Sequence, residues 1–216
     1  MPESGAQTDS NQRVLATAGI IGPVLFTVVV VILGFLRPGY SHITQFMSEL
    51  GAVGAPNAII MDINFIVSGL LSVAFAFGLH RGIGGGDLRV GPALLALFGA
   101  GWAGAGIFPV DLAEPESFTA NMHGLVVFPA LLAAILAPIL ISRRLREDSL
   151  WQGYSTYSLA TGFLALAVFP LLGLRFLDFG FEAPVGAVQR IFFGVWFLWI
   201  EVMAIRLLLV STKTDV

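Results

Sequence analysis

Six apolar segments dominate the sequence, and each is long enough to cross the roughly 30 Å hydrocarbon core of a bilayer as an α-helix. None alternates between apolar and polar residues, and lipid leaves an open strand no way to satisfy its backbone, so helices are predicted. The predicted fold class is all-α, a polytopic membrane protein with a six-transmembrane-helix bundle. The segments are residues 14–36, 58–79, 91–110, 122–141, 154–174 and 187–210.

The composition supports a membrane protein and excludes several other classes. The chain has 216 residues, of which 56% are hydrophobic and 12% are charged, whereas soluble domains carry about 25% charged residues. There is no cysteine, which excludes disulfides and thiolate metal sites. The net charge is -3, so nothing favours nucleic-acid binding, and membrane lipids are the expected partners.

The domain organisation follows from the ends of the apolar segments. Residues 1–13 are polar and are predicted to be a disordered cytoplasmic tail. Residues 14–210 are predicted to form a single transmembrane domain, and residues 211–216 a cytoplasmic C-terminal tail. A cleaved signal peptide is the alternative for the first segment, but no small-residue cleavage motif follows it.

The distribution of basic residues predicts the orientation. With the N-terminus inside, eight basic residues lie on cytoplasmic segments and three on the other side, as the positive-inside rule requires. Both termini are therefore predicted inside. The three outer basic residues are Arg37, Arg175 and Arg190.

The most polar connection between two apolar segments is residues 38–57, after the first helix. Its apolar residues recur at i, i+3, i+4 and i+7, which predicts a short amphipathic helix lying on the membrane surface. His42 and Glu49 lie on another face of this helix. The apolar positions are Ile43, Phe46, Met47 and Leu50.

Glycines and prolines predict how the third helix packs and ends. Glycine recurs at close spacing over residues 99–106, which favours the close approach of a neighbouring helix. Pro109 is expected to end or kink this helix, and Pro129, Pro138 and Pro170 to kink the fourth and fifth helices.

Three short motifs resemble the DUF 998 family. They are SELGAVGAPN after the first helix, FPVD at the end of the third and MHG opening the fourth. Members of this family are prokaryotic six-helix membrane proteins, and its name means a domain of unknown function. The resemblance implies the six-helix fold and no established activity. A multi-pass protein of a prokaryotic plasma membrane is therefore expected.

A histidine and an aspartate flank the third loop, and both are predicted to lie near the first loop. Asn121 is expected to cap the fourth helix, with His123 in its first turn. His42, Asp111 and His123 could hold zinc with one position left for water, since imidazole and carboxylate are zinc ligands. The alternative is a histidine–carboxylate hydrogen bond that ties two loops together and binds nothing.

Further polar residues lie inside the predicted helices. Asn57 and Asn64 share one stripe of the second helix with two serines, where they either bond across an interface or line a cavity. Asp62 needs a partner, for which Arg175 or Arg190 is a candidate. Glu201 lies near mid-membrane, where an ionised carboxylate costs roughly 2.5 kcal/mol or more, so it is expected to face the bundle interior.

Three functions are compatible with these residues. The first is a non-catalytic membrane scaffold or ligand-binding bundle with a polar, outward-facing site. The second is a metal-assisted lipid hydrolase at the outer leaflet, and the third is a small transporter that uses Glu201. Ser48 is interpreted as a helix-surface hydroxyl rather than a nucleophile. The candidate polar site comprises His42, Ser48, Glu49, Asn57, Asn64, Asp111, Asn121 and His123, with Arg190 and Glu201 inside the membrane.

Overall fold

Six long helices form the protein in a computed structural model, which describes residues 3–83, 89–176 and 183–211. The helices are α1 (Glu3–Leu36), α2 (Ala58–Gly82), α3 (Val90–Ile107), α4 (Phe118–Glu147), α5 (Gln152–Val168) and α6 (Val185–Ser211). Two 3₁₀ helices accompany them, the first at Met47–Gly51 and the second at Phe169–Phe176. No strand occurs in the described residues.

All six helices are long and apolar enough to cross a membrane. The prediction of an all-α, multi-pass membrane protein is confirmed. Large apolar side chains stay exposed on the outside of the bundle, among them Phe35, Phe77 and Phe128, as expected for surfaces that face lipid.

The helices form a closed ring in chain order. Each packs against the next, and α6 returns to pack against α1, whereas α5 and α6 touch each other least among these neighbours. Aromatic rings fill the interior: Trp102 of α3 lies 5.0 Å from Phe26 of α1 and 4.5 Å from Phe193 of α6 between ring centroids. Because edge-on and tilted aromatic pairs add to apolar burial, this cluster holds α6 against the other helices.

The closest helix pair is α2 and α3, as the glycine run of α3 predicts. A Cβ added at Gly69 would lie 2.5 Å from the Gly99 carbonyl oxygen, and one added at Gly99 would lie 2.6 Å from the Gly69 carbonyl oxygen. Only glycine at both positions permits this backbone contact.

The ends of α3 and α5 lie beside Pro109 and Pro170, as predicted for these two prolines. α3 ends at Ile107, two residues before Pro109, and α5 changes to 3₁₀ geometry at Phe169, beside Pro170. A proline cannot donate a backbone hydrogen bond, so the regular α-helical pattern is interrupted there.

α1 begins at Glu3, within the segment for which the sequence predicts a cytoplasmic tail. Once a helix is nucleated, each further turn is added at little cost. The Gln12 side-chain amide also donates to the Gly78 carbonyl at 2.6 Å, which ties this part of α1 to α2. Of the predicted C-terminal tail, only Ser211 lies within the described residues, as the last residue of α6.

Candidate functional site

Residues 37–57, here called the α1–α2 segment, lie at one end of the bundle. The C-terminal ends of α1 and α3 and the N-terminal ends of α2, α4 and α6 meet there, and we call it the site end. Val53 N donates to the Val110 carbonyl at 2.9 Å, and Ala187 N of α6 donates to the Ile43 carbonyl at 2.9 Å. The segment is thus bound to both α3 and α6.

The amphipathic helix predicted for this segment is wrong except at Met47–Gly51, which is 3₁₀. Met47 and Leu50 are buried as expected, but Ile43 is 60% exposed. The Ser41 hydroxyl accepts hydrogen bonds from the backbone of Ile43 and Thr44, both at 3.2 Å. Such local side-chain bonds compete with helix formation, and the periodicity of apolar residues does not reveal them.

Glu49 is the most buried polar residue of the segment, with 4% of its surface exposed. One carboxylate oxygen accepts from the Phe46 backbone at 3.1 Å, and the other accepts from the Gln45 amide at 2.8 Å. Its backbone carbonyl accepts from the Arg37 guanidinium. Glu49 therefore caps the 3₁₀ helix and organises the segment from within.

Arg190 of α6 clamps the segment in place. One guanidinium nitrogen donates to the carbonyls of Gly186, at 2.9 Å, and Gln45, at 3.2 Å. The other donates to the Tyr40 hydroxyl at 2.8 Å and to His42 Nδ1 at 3.0 Å. Since arginine can only donate, His42 Nδ1 must accept, and the imidazole is neutral with its proton on Nε2.

The neighbouring residue, Gln189, completes this contact. Its side-chain oxygen accepts from the Met47 backbone at 2.7 Å. Tyr40 and Gln189 are absent from the site predicted from the sequence. The adjacent polar pair Gln189–Arg190 in the first turns of an otherwise apolar helix was the available signal.

His123 lies on the other side of the site end, in the second turn of α4. Its Nδ1 lies 2.7 Å from the Phe108 carbonyl. Because a carbonyl can only accept, Nδ1 carries the proton in the neutral ring, and Nε2 is an acceptor.

The predicted cap of α4 is wrong. α4 begins at Phe118, and the Ser117 hydroxyl caps it by accepting from Ala120 N at 3.3 Å. Asn121 instead donates to the carbonyls of Glu116 and Ser117, each at 3.0 Å. Serine in an extended conformation is a strong N-cap. Ser117 lies four residues before Asn121, so α4 begins earlier than the sequence predicted.

A cavity of about 590 Å³ opens between the α1–α2 segment, α4, the second 3₁₀ helix and α6. Four of its fifteen lining residues are polar: Ser48, Glu49, His123 and Gln189. The larger part of the lining is apolar and includes Val127, Phe128, Leu131, Phe169 and Leu172. Three predicted site residues, Ser48, Glu49 and His123, are therefore brought together.

The other predicted residues do not line this cavity. Asn57 lies at the start of α2 with a positive φ of 60° and no side-chain cap. Asn64 is buried and donates to the Phe26 carbonyl at 3.3 Å, which ties α2 to α1. Ser68 donates to Asn64 at 3.4 Å within α2 itself, so Asn64 bonds across the helix interface, and neither residue lines the cavity.

The three predicted zinc ligands have separate partners. His42 bonds to Arg190, and His123 to the Phe108 carbonyl. Asp111 accepts from the backbone of Ala113 at 3.1 Å and of Glu114 at 3.0 Å, within its own turn. Among the described residues, no group of three or more histidines and carboxylates is placed to hold a metal. The residues present thus do not fit the predicted zinc site.

Two carboxylates, Asp62 and Glu201, lie inside the helices. On the neighbouring α5, Ser158 donates to Met203 and Thr161 to the Tyr157 carbonyl, so neither of these hydroxyls donates to Glu201. Asp62 has a buried oxygen without a hydrogen-bond partner in the described part of the chain. Arg190 bonds elsewhere, and the side chain of Arg175 lies outside the described residues.

The clamp on His42 predicts a pH dependence. Burial, and then the Arg190 guanidinium, hold the pKa of His42 below its ordinary value of 6.5. The unfolded chain then binds more protons below that pH, so the stability from this contact is complete above about pH 6.5 and is lost as the pH falls through the lower folded pKa. Burial raises the pKa of the neighbouring Tyr40, so Tyr40 stays neutral over this range.

We expect the melting temperature of the purified protein to fall between pH 7 and pH 5 more steeply in the wild type than in His42→Gln. Glutamine does not titrate, so the difference between the two melting curves isolates His42 from the other titratable groups. Parallel pH profiles for the two proteins would contradict the neutral His42–Arg190 contact.

Comparison with known proteins places these features in a family. The sequence model of a family described as "Protein of unknown function (DUF998)" matches residues 20–206, which is most of the chain. The resemblance drawn from the three short motifs is thereby confirmed. No match was found among curated proteins or among solved structures.

Proposed function

The chain belongs to the DUF998 family of proteins of unknown function, and we propose that it is a non-catalytic membrane protein that binds an amphiphilic ligand in the cavity at the site end. The observation that carries this proposal is the cavity itself, whose volume of about 590 Å³ lies within the range of small-molecule sites. Its mostly apolar lining with a few polar groups is also typical of such sites.

The free hydrogen-bonding groups define which ligand fits. Glu49 already accepts from the Phe46 backbone and the Gln45 amide. Gln189 uses its oxygen on Met47, so within the described residues its amide nitrogen remains to donate, and the imidazole edge of His123 lines the cavity beside it. A neutral hydroxyl or amide group can pair with both, because it donates and accepts at once. The ligand we propose has such a head and an apolar tail.

The walls of the cavity suggest how such a ligand enters. Phe128 of α4 and Pro170 of the second 3₁₀ helix line the cavity and are exposed. Both belong to segments apolar enough to cross a membrane. A lipid-like molecule can therefore enter sideways from the bilayer, with membrane lipids as the source of ligands.

The arginines support an orientation with the site end outside. Seven of the nine arginine side chains that the structure describes lie at the opposite end of the bundle, and only Arg37 and Arg190 lie at the site end. We place the protein in the plasma membrane of a prokaryote, with both termini inside, by the positive-inside rule.

No arrangement in the described residues favours the hydrolase or the transporter. The hydrolase needs a metal or an activated nucleophile, and Ser48 has no described hydrogen bond to His123. A transporter that uses Glu201 needs a substrate pathway that reaches this residue, and Glu201 does not line the cavity.

A cavity-filling substitution tests the proposal. Gly124 lines the cavity, and a Cβ added there meets no atom within 4 Å. We expect Gly124→Phe to fold normally and to lose most labelling of the cavity by a photoactivatable, diazirine-bearing monoacylglycerol in nanodiscs. Labelled peptides, identified by mass spectrometry, are expected to come from residues 124–131 and 169–173 in the wild type.

The matched control is Gly194→Phe. Gly194 also lies in a long helix with open space around its Cβ, but it does not line the cavity. The Gly194→Phe protein should be labelled to the same extent as the wild type. Equal labelling of these peptides in Gly124→Phe and Gly194→Phe would overturn the proposal.

A further inference from the structure

A second, smaller cavity lies at the opposite end of the bundle, in the groove between α2 and α3. Its volume is about 320 Å³. Apolar residues form most of the groove, and two nitrogen-bearing side chains, His80 and Arg89, lie among them. This groove is separate from the cavity at the site end and shares no residue with it.

The two polar residues of the groove have unused hydrogen-bonding capacity. His80 Nδ1 is buried and has no hydrogen-bond partner in the part of the chain that the structure describes. Arg89 is exposed, and its guanidinium has no hydrogen bond or ion pair within the same residues, whereas its backbone carbonyl accepts from Ala93 N at 3.0 Å. Nδ1 itself is enclosed by the protein, but the His80 ring as a whole is half-buried and lines the groove, so part of the ring contacts whatever occupies it.

The charge around the groove favours an anion. α3 contains no acidic residue, and the only one in α2 is Asp62, in the second turn from the far end of that helix. Arg81, Arg143 and Arg146 add positive charge at the same end of the bundle, and the acidic residues Glu147 and Asp148 at that end do not line the groove. The groove thus combines a permanent cation with an unpaired imidazole.

The apolar part of the groove faces outward. Phe77 is 56% exposed, and Ala93 is exposed beside it. Both residues lie on helices that cross the membrane, so this wall contacts lipid tails, while Arg89 lies just before the first residue of α3. A basic pocket between helices near the membrane surface is a known way to hold an anionic lipid head group.

We propose that this groove binds an anionic phospholipid, with its phosphate beside Arg89 and His80 and its acyl chain along Phe77, Ala93 and Ala96. A free phosphate ion offers the same anionic oxygens but would leave the apolar wall unused. The apolar wall therefore favours the lipid as the source of the phosphate.

Native mass spectrometry of the purified full chain tests this proposal by titration with phosphatidylglycerol and, separately, phosphatidylcholine. We expect the wild type to prefer phosphatidylglycerol and Arg89→Gln to bind it about fivefold more weakly, the effect of one basic residue near a membrane surface. Arg89→Lys should keep most of the affinity, and binding of phosphatidylcholine should not change.

Arg143→Gln is the matched control, because Arg143 is an exposed arginine at the same end that does not line the groove. Ala93→Phe is a second test that keeps both nitrogen-bearing groups and fills the apolar part, and it should also weaken phosphatidylglycerol binding. An equal loss in Arg143→Gln, or no preference for phosphatidylglycerol in the wild type, would overturn the proposal. Inorganic phosphate that raises the melting temperature as much as phosphatidylglycerol, with the same dependence on Arg89, would overturn the choice of a lipid.

Discussion

Replacing Arg190 by methionine is expected to detach the α1–α2 segment from α6 and to lower the free energy of unfolding by about 3 kcal/mol, the upper end for hydrogen bonds of a charged group. Methionine keeps the apolar stem but removes every donor. His42 Nδ1 and the Gln45 carbonyl then lose the guanidinium that holds them. The Met47–Gln189 bond remains, so the expected result is a loosened segment rather than an unfolded bundle.

The absence of cysteine allows a direct measurement of this loosening. A single Ser48→Cys substitution, close in shape to the original, places a thiol on the half-buried wall of the cavity. Maleimide should react with it faster in the Arg190→Met background, and the melting temperature of that protein should fall.

Arg143→Met is the control for Arg190→Met. Arg143 is exposed, and exposed substitutions of this kind change stability by about 0.5 kcal/mol or less. If the two variants showed the same stability and the same labelling rate, Arg190 would not hold the segment.

The second large effect is expected at a close backbone contact between α2 and α3. Gly69→Ala should destabilise the bundle by about 1–3 kcal/mol, the usual cost of adding atoms to a filled interface. The added Cβ would lie 2.5 Å from Ala103 N and from the Gly99 carbonyl oxygen. These are backbone atoms, which cannot move aside without separating α2 from α3.

Gly194→Ala supplies the matched control in denaturant or thermal unfolding. It is the same change within a long helix, but it has no atom within 4 Å of the new Cβ. Alanine is a better helix former than glycine by about 1 kcal/mol, so this variant should be unchanged or slightly more stable. A Gly69→Ala protein as stable as Gly194→Ala would show that α2 and α3 do not depend on this contact.

The helices were predictable because the bilayer leaves few alternatives. An apolar run such as 58–79 must be helical, and it corresponds to α2 at Ala58–Gly82. The glycine run of α3 likewise predicted a close neighbour, which is Gly69 of α2. Both inferences use properties of a single segment.

The α1–α2 segment shows why local patterns were not enough at the site. Its apolar spacing predicted a helix, but Ser41 and Glu49 use their side chains on the backbone of their own segment. Arg190, which clamps the segment, lies more than 140 residues further along the chain. A sequence pattern within 20 residues of the segment therefore cannot predict its contact with Arg190.

The predicted zinc ligands show the same limit. His42 and His123 were expected to converge because both lie at the site end. Instead, Nδ1 of His42 is engaged by Arg190, and Nδ1 of His123 by the Phe108 carbonyl. Placement at one end of a bundle defines a level along the membrane normal, but not the side of the bundle on which a residue lies.

The order of residues alone therefore establishes that the chain crosses the membrane six times, where each crossing lies to within a few residues, and the family to which it belongs. Backbone satisfaction in lipid and the length of a bilayer decide these features. Only packing in three dimensions decides that Ser48, Glu49, His123 and Gln189 share one cavity while His42 and Asp111 do not. The physical reason is that these helices are apolar on nearly every face, so their sequences do not specify how each is rotated about its axis. That rotation is settled by the Gly69–Gly99 contact, the aromatic cluster around Trp102 and the hydrogen bonds of Arg190.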